Sequence, residues 1–406
     1  MKVLIAAGGT GGHLFPGIAL ARELRKNGCD LLFVGTSRGM EREVLEQEGF
    51  PLRTLSIRGF RRLEDRKIGR AMKTAIFNLQ SGILLLLSLV QSLWVLLRER
   101  PHVAVGMGGS LSFPILFLAW LLRKPTLISE QNFLPGQATQ ILSFFIDEIH
   151  LSFEGSRSFL RRKKRVFVSG NPIRREIAES SIHPELDSGP ASRIKTVFIF
   201  GGSRGARSIN RAFLESLPFI QNREMDIRSS EINISRSAFG IRFILQTGKG
   251  EFREIKERLK NYKMQDSDLQ SSIFKYSNLQ INVYPFIQDM ARAYREADLV
   301  VSRSGATTCA EITAVGLPVL LIPYPYATEG HQKANAQFLK ERGAAEVIQN
   351  GELTGERLAN TILTLLQDEN RLQEMGRRSK SLGRPDAAQR IAERVVKLLN
   401  SRIVES

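Results

Sequence analysis

The chain has 406 residues, 42% hydrophobic and 24% charged, an ordinary globular composition on a chain too long for one hydrophobic core. Its two cysteines, Cys29 and Cys309, stand far apart and form no CxxC pair, which argues against a disulfide framework or a zinc site and for a reducing compartment. A formal net charge of +17 asks for an anionic partner, yet no zinc-finger spacing, RNA-binding signature or recognition helix is legible, so nucleic acid is set aside and the placement of the charge must decide. Met1 leads straight into an apolar run and a glycine loop, which reads as a first strand rather than a signal peptide.

Short apolar runs then alternate with helical patterns. Strands are expected at 2–6, 31–34, 103–105, 126–129, 149–152 and 166–169, and again at 196–200, 243–246, 279–284, 299–302 and 318–322. Most are continuous Val/Ile/Leu/Phe runs without polar alternation, the pattern of strands buried on both faces of a parallel sheet. The first strand ends in Ala7-Gly8-Gly9-Thr10-Gly11-Gly12-His13 and the strand at 196–200 in Gly201-Gly202-Ser203-Arg204-Gly205-Ala206, each running into a helix. Two strand–glycine loop–helix units predict an α/β protein of two Rossmann-like, doubly wound domains, residues 1–178 and 193–385. Gly170-Asn171-Pro172 reads as a hinge and 180–192 as the linker. The polar stretch 221–240 reads as a surface insertion, and a last helix near 386–401 as crossing back onto the first domain.

A glycine loop lets backbone N–H groups approach an anion, and the helix that follows adds a favourable dipole. A tight strand–helix turn explains a single such loop equally well. The spacing narrows the ligand: Leu14 stands where a third fingerprint glycine belongs, and Gly35-Thr36 end the second strand where a dinucleotide fold needs a carboxylate. No kinase-type phosphate loop is present either. A third loop, Gly106-Met107-Gly108-Gly109-Ser110, follows the strand at 103–105, and three glycine loops at strand ends would face one cleft.

Residues 82–97, GILLLLSLVQSLWVLL, carry no charge but fall short of the roughly 20 residues of a bilayer span. A span there would also break the sheet before the strand at 103–105. A helix packed partly on the sheet and partly in the lipid interface fits better. Arg58, Arg61, Arg62, Arg66, Lys67, Arg70 and Lys73 precede it against only Glu64 and Asp65, and 161–165 is a second basic run. Apolar surface with a basic rim suits an anionic membrane surface, and a solvated charged face is the plainer alternative.

Seven ordered segments, GGTGGHLFPG at 8–17, GMGG at 106–109, EQNFLPG at 130–136, GNPIR at 170–174, GGSRGAR at 201–207, RSGATTCAE at 303–311 and HQKANA at 331–336, together resemble the MurG family of peptidoglycan glycosyltransferases. The likeness runs from residue 5 to about 345 and departs from the family pattern at 110–113 and 221–240. It implies the GT-B fold, with two Rossmann-like domains facing a central cleft. It also implies inverting transfer of N-acetylglucosamine from UDP-N-acetylglucosamine to the muramoyl C4 hydroxyl of lipid I, giving lipid II at the cytoplasmic face of the bacterial inner membrane. A cell-wall synthesis complex is an implied partner.

In that setting His13 is the base candidate, because an imidazole accepts a proton near neutral pH and the residue starts a helix at the glycine loop. Thr10, Gly11 and Gly12 beside it, with Gly106, Gly108 and Gly109 of the third loop, are expected to meet the donor and the acceptor diphosphate respectively. Ser203 and the surrounding N–H groups should take the leaving-group charge, with Arg174 adding a charge-assisted contact. Glu311 is placed for the ribose hydroxyls, the loop of Ala306, Thr307, Thr308, Cys309 and Ala310 for the donor, and the backbone of Ile287 for the uracil. Gln332 and Asn335, at i and i+3, share a helix face suited to sugar hydroxyls, with His331 beside them, and Asn132 should reach the sugar from the first domain. Capping, core packing or plain solvation is the structural alternative at each of these positions. Asp266-Ser267-Asp268 mimics a metal-binding D-x-D but lies in a polar stretch, so no metal cofactor is expected, with Mg²⁺ stimulation left open. Three other readings compete: a UDP-N-acetylglucosamine 2-epimerase, a transferase acting on another lipid, and a non-catalytic binding module.

Overall fold

The apolar runs form two parallel-stranded sheets, one in each of two compact units, Met1–Arg174 with Arg384–Ser406, and Arg175–Gly383. The structure, a computed structural model, describes residues 1–36, 41–57, 68–161, 165–180, 194–202, 205–229, 240–261, 273–276 and 279–403. The expected linker, most of the basic run after 57, the D-x-D at 266–268 and Ser203 lie outside the described residues.

In the first unit, β1 (Lys2–Ala6), β2 (Asp30–Thr36), β3 (Leu52–Leu55), β4 (Val103–Gly106), β5 (Thr126–Glu130), β6 (Glu148–Leu151) and β7 (Val166–Val168) pair in the order β3-β2-β1-β4-β5-β6-β7, all parallel. The connecting helices are α1 (Gly11–Lys26), α2 (Glu41–Gln47), α3 (Ile68–Glu99), α4 (Gly109–Leu121) and α5 (Gln137–Leu142). Alternation along β1 sorts the core: Val3 and Ile5 pack with Leu14 and Leu20 of α1, while Leu4 and Ala6 pack with Val95 and Leu96 of α3 and Ile115 of α4. Both faces are therefore covered, which is why the strands read as unbroken apolar runs.

In the second unit the strands are β8 (Lys195–Phe200), β9 (Ile241–Gln246), β10 (Ile273–Tyr276), β11 (Leu279–Tyr284), β12 (Leu299–Ser302), β13 (Val319–Leu321) and β14 (Ala345–Val347), in the order β10-β11-β9-β8-β12-β13-β14. Only the β10–β11 pairing is antiparallel. The helices are α6 (Arg175–Ala178), α7 (Arg207–Ser229), α8 (Phe252–Asn261), α9 (Met290–Glu296), α10 (Ala306–Val315), α11 (His331–Glu341), α12 (Gly355–Gln367) and α13 (Glu369–Leu382). Phe213 and Leu217 of α7 and Leu358 and Ile362 of α12 share one core over β8 and β9.

The strand order reverses between β1 and β4 in the first sheet and between β8 and β12 in the second, and in open α/β sheets ligands bind outside the strand ends at such a switch point. The glycine loops after β1, β4 and β8 and the Arg303–Gly305 segment after β12 all start at these two places.

The last helix, α14 (Ala387–Ile403), belongs to the first unit, where Ile391 and Val395 pack against Leu20, Leu24 and Phe33. Arg394 of α14 pairs with buried Glu148 and lies 4.3 Å over the Phe167 ring, and His150 Nε2 reaches Glu148 Oε2 at 3.3 Å. Burial alone would raise the Glu148 pKa, but hydrogen bonds from His150 and Arg394 outweigh it and hold the carboxyl below its ordinary range. Burial lowers the pKa of His150 despite Glu148, so the ring is neutral, with Nδ1 2.7 Å from Ser169 Oγ.

Two expectations change. Residues 221–229 of the expected insertion continue α7 as helix, and the rest of that stretch, 230–239, lies outside the described residues. The edge strands β3, β10 and β14 were not expected: they are only three or four residues long, and β3, with Arg53 and Thr54 exposed, has no apolar run.

Candidate active site

At the first switch point α1 begins at Gly11 with Thr10 as its N-cap, and no side chain caps the turn. Thr10 and Gly12 are exposed, and Gly11 and His13 are partly so. Beneath the loop lies Glu41, 1% exposed, whose Oε1 accepts from the Gly9 N–H at 2.6 Å, the Thr36 hydroxyl at 2.9 Å and the Thr36 N–H at 3.3 Å. This carboxylate fixes the loop from the start of α2, and a Cβ on Gly8 would fall 2.3 Å from its Oε1.

His13 lies against the glycine loop after β4. Its Nδ1 is 2.9 Å from Gln131 Oε1, and its Nε2 lies 3.2 Å from where a Cβ on Gly109 would stand. Gly109 opens α4 with φ +71°, so only glycine gives both this turn and room for the ring. Gly108, also at positive φ, caps α4 and is buried. Gly106 differs from expectation: it is the last residue of β4, and a Cβ there would meet Leu116 and Ser112 at under 3 Å. Close packing of α4, not anion contact, requires that glycine.

After β5, the Glu130 carboxylate accepts from Asn132 N, Gly136 N and the Thr139 hydroxyl at 3.1, 3.1 and 2.6 Å. The turn this creates presents Asn132, half-buried, directly after the Gln131 that meets His13. Arg174 is the last residue of the first unit before the chain enters the second.

In the second unit the loop after β8 passes under Thr247: Gly205 has φ +77°, and a Cβ there would stand 2.0 Å from the Thr247 carbonyl. Gln246, 2% exposed, donates to Gly202 O at 3.2 Å and accepts from Ile287 N at 2.8 Å. The Ile287 N–H is thus already engaged within the protein.

The expected loop at 306–310 is instead the start of α10, capped by Gly305 with no side-chain bond, so Ala306, Thr307 and Thr308 form an uncapped helix N-terminus. Thr307 and Thr308 are partly exposed. Cys309 turns inward, 1% exposed, and burial pushes its thiol up to about 12, which makes it inert packing rather than a ligand contact. Ala310 is half-buried, one residue before Glu311. Glu311, 5% exposed, sits beneath this turn and accepts from the Tyr294 hydroxyl at 3.0 Å.

Gln332 and Asn335 do not present two amides to one ligand. Asn335 is fully buried and donates to Ser304 O at 3.1 Å, so it shapes the loop before α10. Gln332 is partly exposed and accepts from Tyr324 N at 2.9 Å, and Ser304 Oγ donates to its backbone carbonyl at 2.7 Å. His331 Nε2 lies 3.5 Å from Glu329 Oε2. Buried Arg303 ties the loops together, donating to Ile322 O, Pro323 O, Asn350 Oδ1 and Ser208 Oγ. Burial lowers its pKa to about 10, still a cation at neutral pH.

Sequence reasoning gave no role to Glu41, Gln131, Tyr294, Gln246 or Arg303. Gln131 and Arg303 stand inside quoted motifs, but their partners are distant in sequence. Among the described residues no three His, Cys, Asp or Glu side chains cluster to hold a metal.

Two doubly wound sheets with uncapped helix starts and glycine loops at both switch points define the class, a protein of the GT-B fold. The glycosyltransferase family 28 N-terminal domain matches residues 3–151 and the family's C-terminal domain residues 196–391. The UDP-N-acetylglucosamine–N-acetylmuramyl-(pentapeptide) pyrophosphoryl-undecaprenol N-acetylglucosamine transferase of Myxococcus xanthus is 38% identical over 401 residues, 98% of this chain and 93% of that protein. The protein of the same name from Chlorobium phaeobacteroides is 38% identical over 405 residues, 99% of this chain and all of that one. The crystal structure of Acinetobacter baumannii MurG superposes with a TM-score of 0.71 at 26% identity, covering 98% of this chain and 99% of that one. The chain belongs to glycosyltransferase family 28, among the MurG transferases. The UDP-N-acetylglucosamine 2-epimerase of Neisseria meningitidis also superposes, at TM-score 0.59 and 14% identity, a likeness of fold alone.

Proposed function

We propose that this protein transfers N-acetylglucosamine from UDP-N-acetylglucosamine to the C4 hydroxyl of the muramoyl sugar of lipid I, forming lipid II. The observation that carries this reading is the His13 ring, held at the first switch point against the Gly108–Gly109 turn, in a chain 38% identical to transferases named for that reaction. His13 Nε2 takes the acceptor hydroxyl proton as the new C1–O bond forms with inversion and the bond from C1 to the diphosphate breaks. The uncapped start of α10, with Thr307 and Thr308, and the glycine loop after β8 offer N–H groups to the leaving diphosphate, and Arg174 adds a cation. Glu311 stands behind that turn for the ribose, the Ile287 carbonyl for the uracil, and Asn132 and Gln332 for the sugar. No step in this reading calls for a metal, and stimulation by Mg²⁺ is an outcome to measure.

The acceptor of this reading is anchored in lipid, and the protein is proposed to sit peripherally on the cytoplasmic face of the membrane. Leu79, Ile83, Leu86, Val90, Trp94 and Leu97 of α3 recur at helical spacing and are all exposed. Phe77–Glu99 is long and apolar enough to span a bilayer by length and composition. Its other face is tied to the sheet: Val95 and Leu96 are core, Gln91 Oε1 accepts from Ser56 N at 2.8 Å, and Glu99 pairs with Lys2 and Arg53. A spanning helix would forfeit all of these contacts, so α3 is read as lying in the interface.

The test is transfer of labelled N-acetylglucosamine to a short-chain lipid I analogue without added metal. Product that disappears with His13→Ala supports the reaction and the base together. Absence of product from the wild-type protein, with UDP-N-acetylglucosamine still bound, would overturn the acceptor assignment.

A further inference from the structure

The amide of Gln131 is 1% exposed and its two ends meet different partners. Nε2 lies 2.8 Å from the Ser129 carbonyl and 3.4 Å from the Ser129 hydroxyl, and Oε1 lies 2.9 Å from His13 Nδ1. A backbone carbonyl can only accept, so the NH₂ end of the amide must face Ser129. The oxygen is then forced toward His13, and a carbonyl oxygen facing a ring nitrogen requires that nitrogen to carry the hydrogen.

We infer that Gln131 is a positioning residue that holds His13 in the Nδ1–H tautomer, leaving Nε2 bare as the atom that takes the proton. The inference rests on the assignment of His13 as the base. Buried histidine bases are commonly held in one tautomer by a carboxylate; here a neutral amide does it, with its own direction set by a main-chain carbonyl in β5. The amide adds no charge beside the ring. Gly108 and Gly109, which lie against the imidazole, are uncharged, and the carboxylates that anchor the adjoining loops are engaged elsewhere: Glu41 by Gly9 and Thr36, Glu130 by Asn132, Gly136 and Thr139. The same Oε1 stands 3.1 Å from where a Cβ on Gly108 would lie, so ring, amide and glycine turn are packed as one set.

Three proteins test this: wild type, Gln131→Met, which keeps the volume and removes the acceptor, and Gln131→Glu, which keeps the acceptor. In its protonated form the carboxyl introduced by Gln131→Glu also donates to Ser129 O. Long-range ¹⁵N–¹H spectra resolve imidazole tautomers, and with five histidines in the chain the His13 ring is assigned by its loss in His13→Asn. The expected result is a single Nδ1–H tautomer in the wild type, a mixture in Gln131→Met, and recovery in Gln131→Glu. Alongside, kcat for labelled transfer should fall on the order of 10–100-fold in Gln131→Met with the donor KM changed by less than about 3-fold, and Gln131→Glu should restore most of it. An Nε2–H tautomer in the wild type, or an unchanged tautomer and full kcat in Gln131→Met, overturns the inference. The spectra need no turnover, so a locked Nδ1–H tautomer in a protein that transfers nothing would sink the proposed reaction and leave the tautomer assignment standing. Melting curves and UDP-N-acetylglucosamine binding show that Gln131→Met is folded. An unfolded Gln131→Met passes the decision to the wild-type spectrum and Gln131→Glu.

Discussion

The Tyr294 hydroxyl donates to Glu311 Oε2 at 3.0 Å from a ring that is completely buried. α9 thereby sets the direction of a carboxylate on α10, directly behind the turn proposed to carry the UDP. Removing the hydroxyl leaves the ring packing against Phe198 and Phe200 intact and takes one donor from a nearly buried carboxylate. Tyr294→Phe should therefore cost about 1–2 kcal/mol of stability. It should also raise the Kd for UDP-N-acetylglucosamine several-fold while kcat changes little. Calorimetric titration with the donor checks this, and unchanged affinity would mean that Glu311 does not touch the nucleotide.

Glu41 plays the corresponding part under the first glycine loop. One oxygen accepts three hydrogen bonds, and Oε2 has no partner among the described residues. Glu41→Gln keeps the shape but weakens charge-assisted bonds and brings an NH₂ into a buried position without an acceptor. A loss of about 1–3 kcal/mol in urea unfolding is expected. The loop that carries Thr10 to His13 should loosen with it, seen as faster amide exchange at 9–12. A variant as stable as the wild type would remove Glu41 as the loop's anchor.

How legible these arrangements were in the sequence follows from the physics of each signal. Strands covered on both faces announce themselves as apolar runs, so β1, β4, β8 and β12 and the glycine loops between them could be read directly, and with them the two Rossmann-like halves. β3 could not, because Arg53 and Thr54 are exposed on a short edge strand. Side-chain direction is likewise absent from a linear motif. Thr307, Thr308 and Cys309 are adjacent letters, yet the first two stay partly exposed and the third is buried. Gln332 and Asn335 share a helical face by number, but that face spans the edge of the core, so one is reachable and the other closed. Gln131 stood inside a quoted motif without a role, because its partner His13 lies 118 residues away.

Acid should loosen the docking of α14. His150 is held neutral by burial, with its pKa below the ordinary 6.5, and Glu148 is held ionised by His150 and Arg394, with its pKa below the ordinary 4.5. Each group binds protons less readily in the folded protein than in the unfolded chain, so each contributes stability at higher pH that is lost as pH falls. The loss begins as pH drops below about 6.5 for the histidine, and below the ordinary carboxylate value Glu148 adds to it. Melting temperature should decline through this window, and His150→Gln should flatten its upper part. A melting temperature flat from pH 7 to pH 5 in the wild type would show that protonation of His150 does not oppose folding.

Membrane docking through α3 makes a prediction that separates surface from site. Leu86 and Val90 are one turn apart, 65% and 69% exposed, so replacing them disturbs no core contact. Full burial of a Leu or Val side chain contributes roughly 1.5–3 kcal/mol, so even half-immersed in lipid the pair supplies on the order of 2 kcal/mol. Leu86→Asn with Val90→Asn should thus lower binding to vesicles containing anionic lipid by at least about 10-fold, without lowering the melting temperature. Transfer to a short-chain, water-soluble lipid I analogue should keep its rate, because the substitutions lie on the face of α3 turned away from the sheet. Transfer to full-length acceptor in vesicles should fall with the binding. Raised salt should weaken what binding remains if the basic residues before α3 share the work, since surface charge is screened within about 10 Å at 0.1 M. Vesicle flotation of both proteins decides the matter: equal recovery with the lipid would place the docking surface elsewhere on the first unit.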